Sequence, residues 1–85
     1  MPIAQIIDMP GATERDYDAA FAAIHPEGHW PEGQLAHIAG PAEGGFRVID
    51  VWESREAYER FEAAVLAPLG LAGAPATEFP VHNLK

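Results

Sequence analysis

The chain has 85 residues, with 13 acidic against 5 basic side chains for a formal net charge of −8, and no cysteine. That length suits one domain with a modest core, and the acidic balance disfavours nucleic acid or an anionic membrane as partner. Without thiols there is neither a disulfide framework nor a thiolate metal site, and a small domain lacking disulfides favours a reducing compartment. The opening MPIAQIID lacks the basic start and apolar run of a leader, and no stretch reaches the length of a membrane span. One cytoplasmic domain over residues 1–85 is therefore expected.

Ile3 to Asp8 reads as a first strand, stopped by Pro10-Gly11. Thr13, followed three residues later by Asp16, has the form of a capping box with Asp standing in for Glu. Tyr17, Phe21 and Ile24 then fall at i, i+4 and i+7, one face of a helix, and the alanines between them favour that conformation. Pro26 and Gly28 mark its end. The stretch HPEGHWPEGQ, residues 25 to 34, predicts an irregular loop over the surface or over a pocket.

QLAHIAG, residues 34 to 40, predicts a second strand; GPAEGG turns the chain, and residues 46 to 53 form a third strand antiparallel to the second. Ser54 is a good N-cap for a second helix. Its apolar stripe is Tyr58, Phe61, Val65, Leu66 and Leu69, opposite Arg55, Glu56, Glu59 and Glu62, and Pro68 should end or bend it. After the link LAGAPA, TEFPVHNLK predicts a last strand, partly at an edge because Pro80 cannot donate to a ladder.

The order β-α-β-β-α-β is the ferredoxin-like α+β arrangement, with an antiparallel four-stranded sheet. Two helices cover only one face of such a sheet. The third strand, GFRVIDVW, is apolar on both parities: Phe46, Val48 and Trp52 on one side, Ile49 and Val51 on the other. A sheet apolar on both faces needs a second cover, and another copy of the chain is the simplest one. A homodimer is expected.

"GFRVIDVWESREAYERFEAAVLAPL", together with the terminal "EFPVHNL", resembles the dimeric α+β barrel superfamily. Within it, the chain is most similar to the small proteins grouped with the antibiotic biosynthesis monooxygenases, and "VWESREAYERF" carries most of the signal. The resemblance implies two sheets paired into a barrel across a dimer, with a small-molecule pocket between sheet and helices. Superfamily members oxygenate polycyclic phenols without a cofactor, degrade haem, or isomerise or decarboxylate small aromatics. Many of the monooxygenases have a histidine in the second helix near where "AYERF" ends, and the haem degraders use an axial helical histidine. Here Phe61 stands at that place, and His25 lies at the end of the first helix. Neither haem, another cofactor nor a metal is therefore expected.

Asp50 is the anomaly of the third strand, since a carboxylate in an apolar strand is costly unless it is partnered. Asp50 and Trp52 share a parity and point to one face. With Ala39 paired to Phe46, His37 lies opposite Val48 and Leu35 opposite Asp50, so that His37, Asp50 and Trp52 share that face. The imidazole can then take a proton and the carboxylate orient it. The structural alternative is an Asp50 held by hydrogen bonds beside a satisfied sheet histidine.

His82, on the last strand, could reach the pocket mouth or the dimer seam. Trp30 suits a lid, while Tyr17 and Tyr58 sit on the apolar helix stripes with hydroxyls at the rim or free to donate to a ligand. His25 and His29 have metal-like spacing, but Pro26 and Gly28 place them on a loop rather than a helix. Arg47 has parity opposite to Asp50 and suits an ion pair. The candidate catalytic residues are thus His37, Asp50 and His82, and the candidate ligand contacts are Trp52, Tyr17, Tyr58 and Trp30. The partner would be a small hydrophobic or aromatic molecule. A cofactor-independent monooxygenase, isomerase or cyclase fits this pattern; so does a non-catalytic ligand-binding or structural dimeric barrel, and the residues leave that choice open.

Overall fold

The computed structural model describes every residue from Met1 to Lys85. Strands β1 (Ile3–Pro10), β2 (Gln34–Ala42), β3 (Gly45–Trp52) and β4 (Thr77–Pro80) form one antiparallel sheet in the order β2-β3-β1-β4. Helices α1 (Glu14–Ile24) and α2 (Arg55–Phe61) form the second layer. This is the ferredoxin-like α+β arrangement that the element order predicts. No helix is long and apolar enough to cross a membrane.

Both helices start where their caps dictate. Thr13 Oγ1 accepts from the Asp16 amide at 3.2 Å, and Asp16 Oδ2 accepts from the Thr13 amide at 2.9 Å, which closes the capping box. Ser54 Oγ accepts from the Ala57 amide at 3.1 Å. Helix α2 is shorter than its apolar stripe suggests. After Phe61 the chain widens into a π-helical turn, Glu62–Leu66, in which the Ala67 amide bonds to the Glu62 carbonyl at 2.8 Å. Regular structure ends there, ahead of Pro68, which has no N–H to carry the ladder on, although Ala67 before it keeps a helical φ of -61 and ψ of -46.

The hairpin register differs from the expected one by two residues. Ala39 pairs with Val48 rather than Phe46, and Phe46 pairs with Pro41. Both strands run on to a two-residue turn, Glu43-Gly44, with Gly44 at φ 77 supplying the left-handed conformation. Pro41 is tolerated because β2 lies at the edge of the sheet. A shift of two preserves every face, and it sets His37 directly opposite Asp50. A bulge at Leu35 leaves Gln34 opposite Trp52.

Strand β4 is also shorter than expected. It stops at Pro80, and one further bond, from the Val81 amide to the Pro2 carbonyl at 2.9 Å, ties down the chain beyond it. His82 therefore lies outside the sheet and is exposed.

Phe46, Val48, Trp52 and Ala57 are buried between the sheet and the helices. Only 8 of 85 residues are buried, a thin core for an isolated domain. On the other face of the sheet Ala4 and Val51 are buried, but Ile38 is 62% and Phe79 47% exposed, so that apolar face is only partly covered within the chain.

Candidate functional site

Between the helices and the covered face of the sheet lies a cavity of ≈ 220 Å³. Its walls are mostly apolar, with Ile7, Phe21, Ile24, Phe61, Leu66 and Leu71 among them. The segment between α2 and β4 closes one side through Leu71, Ala74 and Ala76. No lysine or arginine lines it.

Three side chains from three elements meet in this cavity. His37 on β2 approaches Asp50 on β3, with Nδ1 to Oδ1 at 2.5 Å, and its Nε2 lies 2.6 Å from the Tyr17 hydroxyl on α1. Gln34 Nε2 donates to the same Asp50 oxygen at 2.9 Å. A carboxylate only accepts, so His37 carries a proton on Nδ1, and in the neutral imidazole Nε2 is left to accept from the Tyr17 O–H. Tyr17 then presents an oxygen with free lone pairs. Its phenol is held above its ordinary value, first by burial and then by the charge of Asp50, so it is protonated at neutral pH. The His37 and Asp50 side chains retain only 15% and 14% exposure, which strengthens their mutual attraction over that of a surface pair.

Tyr17 owes its position to α1. It stands one turn before Phe21, with ring centroids 5.8 Å apart, and stacks on Phe46 of β3 at 5.3 Å. Asp50 is thus neither a stray charge nor one satisfied by the backbone. It is the base of a line of hydrogen bonds that ends in the cavity.

The other predicted contacts divide. Tyr58 lines the cavity, but its hydroxyl donates to Glu62 Oε2 at 3.0 Å, and burial above all pushes its phenol up to about 12. Trp52 shares the sheet face of Asp50 yet does not line the cavity. It is 1% exposed, donates from Nε1 to Gln5 Oε1 at 3.1 Å and packs under Tyr58 and Phe61, because an indole this large fills the space between sheet and α2. Trp30 is 53% exposed and lies outside the wall, with its ring 4.6 Å from His25 and 5.4 Å from His37. His82 does not join the cavity, since β4 ends two residues before it.

Two site residues escape the sequence reading. His25, expected where the first helix gives way to a loop and not among the candidate site residues, is the C-cap of α1 and only 7% exposed. It lines the cavity, and its position four residues after Phe21 and eight after Tyr17 is the signal that places it on their face. Its imidazole is held below its ordinary value chiefly by burial. Gln34 reaches Asp50 through the β2 bulge, which no sequence pattern announces. His25 and His29 form no metal pair, and no group of three or more His, Asp or Glu side chains is placed to hold a metal ion.

This geometry can be set against proteins of known structure. The haem-degrading protein Rv3592 of Mycobacterium tuberculosis, in a haem-free form, superposes with a TM-score of 0.64 at 20% identity, over 100% of this chain and 99% of that one. A mutant of SnoaB, a cofactor-independent oxygenase from Streptomyces nogalater, superposes with a TM-score of 0.66 at 14% identity, over 98% and 94%. A protein of Chloroflexus aurantiacus assigned to the antibiotic biosynthesis monooxygenases gives 0.64 at 20% identity, over 100% and 98%. The chain has the antibiotic biosynthesis monooxygenase-like fold. No protein-family model matches the sequence, and no curated protein does. At these identities the likeness concerns the fold alone, and the chemistry has to be read from this chain's own side chains.

Proposed function

We propose that the cavity binds a small hydrophobic or aromatic metabolite and removes a proton from it, as the opening step of a cofactor-independent oxygenation, isomerisation or cyclisation. The observation that supports this reading is the Tyr17–His37–Asp50 line, with its free end in an apolar, partly closed cavity. A substrate O–H or activated C–H would give its proton to Tyr17 Oη while Tyr17 passes its own to His37 Nε2. The imidazolium so formed is stabilised by Asp50, which also fixes the tautomer. Tyr17 then becomes the donor to the new anion, in a mostly apolar site. In an oxygenation, O2 is the co-reactant: the substrate anion supplies the electrons and adds to O2 through carbon, the peroxide anion takes back the proton held on Tyr17 and His37, and the hydroperoxide loses water, with the hydrogen of the same carbon, to leave a carbonyl. The fold shared with SnoaB is compatible with that chemistry and does not select it.

The test uses a panel of phenols and enolisable aromatics mixed anaerobically with the protein. Phenolate or enolate absorbance should appear on binding, followed by O2 uptake on aeration, and Tyr17→Phe should abolish both. Binding without ionisation or turnover would make the protein a carrier.

The second part of the reading is a homodimer through the open sheet face, where Ile38 is 62% and Phe79 47% exposed and the monomer's own core is thin. Sedimentation equilibrium should give twice the 9.2 kDa chain mass, and Ile38→Lys should return it to the monomer. A stable monomer at low micromolar concentration would refute this. A cytoplasmic location accords with a chain that has no cysteine.

A further inference from the structure

The polar side chains around the cavity share one property: in the resting network those with a free valence are acceptors. The Tyr17 proton is committed to His37, and the Tyr58 proton to Glu62. Asp50 is a carboxylate; that of Asp8 pairs with Arg47 on the opposite face of the sheet and is not part of this set. Gln34 donates to Asp50 while its Oε1 is buried without a partner. His25 donates from Nδ1 to the His29 carbonyl at 3.1 Å, which leaves a lone pair on Nε2. That nitrogen has no partner within the chain and is not fully buried. The ring is fixed by Phe21 at 4.7 Å and Trp30 at 4.6 Å, and its centroid lies 6.3 Å from that of His37.

We infer that His25 is a specificity-determining residue, and that the cavity selects an uncharged single-ring aromatic carrying two hydrogen-bond donors. One donor is the group ionised through Tyr17, and the other, a hydroxyl or amino group, is held by His25 Nε2. This rests on the proton-abstraction reading above and adds the class of ligand to it. The volume of ≈ 220 Å³ exceeds the roughly 150 Å³ of an engineered cavity that takes benzene, leaving room for one substituted ring. An aromatic carboxylate is rejected, because its charge would meet only acceptors and no cation in the wall. Burial keeps the imidazole of His25 neutral, so that Nε2 stays an acceptor at neutral pH.

The experiment is anaerobic calorimetric titration at neutral pH with meta-aminophenol, meta-methoxyphenol, phenol and benzoate. The second donor should make meta-aminophenol bind about fivefold tighter than phenol. Meta-methoxyphenol, which fills similar space without that donor, should show no such gain, and benzoate should not bind. In His25→Phe, which keeps an aromatic ring against Phe21 and Trp30, the ratio of meta-aminophenol to phenol affinity should collapse to near one, and His25→Gln should restore part of it.

Nitrogen NMR of the unmodified protein gives the same answer without a variant: the Nε2 resonance of His25 should move with meta-aminophenol and hold still with phenol. Equal affinities for meta-aminophenol and phenol, an advantage that survives His25→Phe, or benzoate binding comparable to phenol would each overturn the inference. If the donor preference depends on His25 while no ligand is ionised, the proton-abstraction reading fails and the specificity role stands.

Discussion

Gln5 on β1 and Asp50 on β3 face each other across one register position, and both belong to polar networks under the helices. The two networks are built to opposite ends. Gln5, 3% exposed, accepts from Trp52 Nε1 at 3.1 Å and donates to Glu78 Oε1 at 3.2 Å, while Arg55 Nη1 reaches the same Glu78 oxygen at 3.2 Å. That chain crosses β3, β1 and β4 and ends on α2, with both functions of the Gln5 amide used. The Asp50 network begins as securely, with Gln34 and His37 on one oxygen, but it runs through Tyr17 into a cavity and stops with lone pairs unspent. Burial alone does not separate structural from chemical polar groups. A network that closes on itself holds elements together, and one that ends in a void has valences for a ligand.

The contrast can be broken at four points. The largest effect should come from Trp52→Ala, which empties the space between sheet and α2 and should cost about 3–5 kcal/mol in denaturant unfolding. Asp50→Asn comes next, and its effect should fall on chemistry. Ionisation of a bound phenol should slow by about two orders of magnitude with only a small change in melting temperature, and the deshielded proton NMR signal of His37 Nδ1–H should move upfield. A melting point that collapses while ionisation persists would reverse the assignment of the two networks. Gln5→Leu strands the Trp52 N–H and should cost about 1–3 kcal/mol, with ligand affinity unchanged.

The smallest effect is a pH dependence. Because burial lowers the pKa of His25 in the folded state, stability should be full above the ordinary histidine value of about 6.5. It should fall as pH drops below that value, where the unfolded chain takes up a proton that the folded one refuses. Urea midpoints measured across that window should show the decline, and His25→Phe should flatten it.

Much of this was legible in the chain. The caps at Thr13 and Ser54, the helical spacing of Tyr17 and Phe21, and the alternation in β3 are local patterns, and they fixed the fold and the shared face of His37 and Asp50. That face survived a two-residue error in register because strand alternation has a period of two. What the sequence hid depended on long-range packing. Trp52 was assigned to the cavity because parity reports a face but not a depth, and only the position of α2 decides what lies beneath. His25 was hidden by Pro26 and Gly28, whose loop signal masked a cap buried by Phe21, Trp30 and Phe61. The end of β4 at Pro80, which leaves His82 exposed, follows from where β1 begins, since Ile3 pairs with Pro80 and little partner strand lies beyond.

The π-helical turn Glu62–Leu66 has a consequence for how such a chain could arise. Each residue added to a helix rotates the remainder of that helix by about 100°, and a π-helical turn is an α-helix that has absorbed one extra residue. Here the extra residue swings Leu66 to the cavity wall, while the side chain of Glu62, where the turn begins, meets both the Tyr58 hydroxyl and the Gly73 amide, at 3.0 and 3.3 Å. A deletion of Ala64 would restore a regular helix and point Leu66 elsewhere, unfastening residues 67–76 from above the cavity. A single codon gained within a helix would thus be enough to put a roof over what had been an open groove.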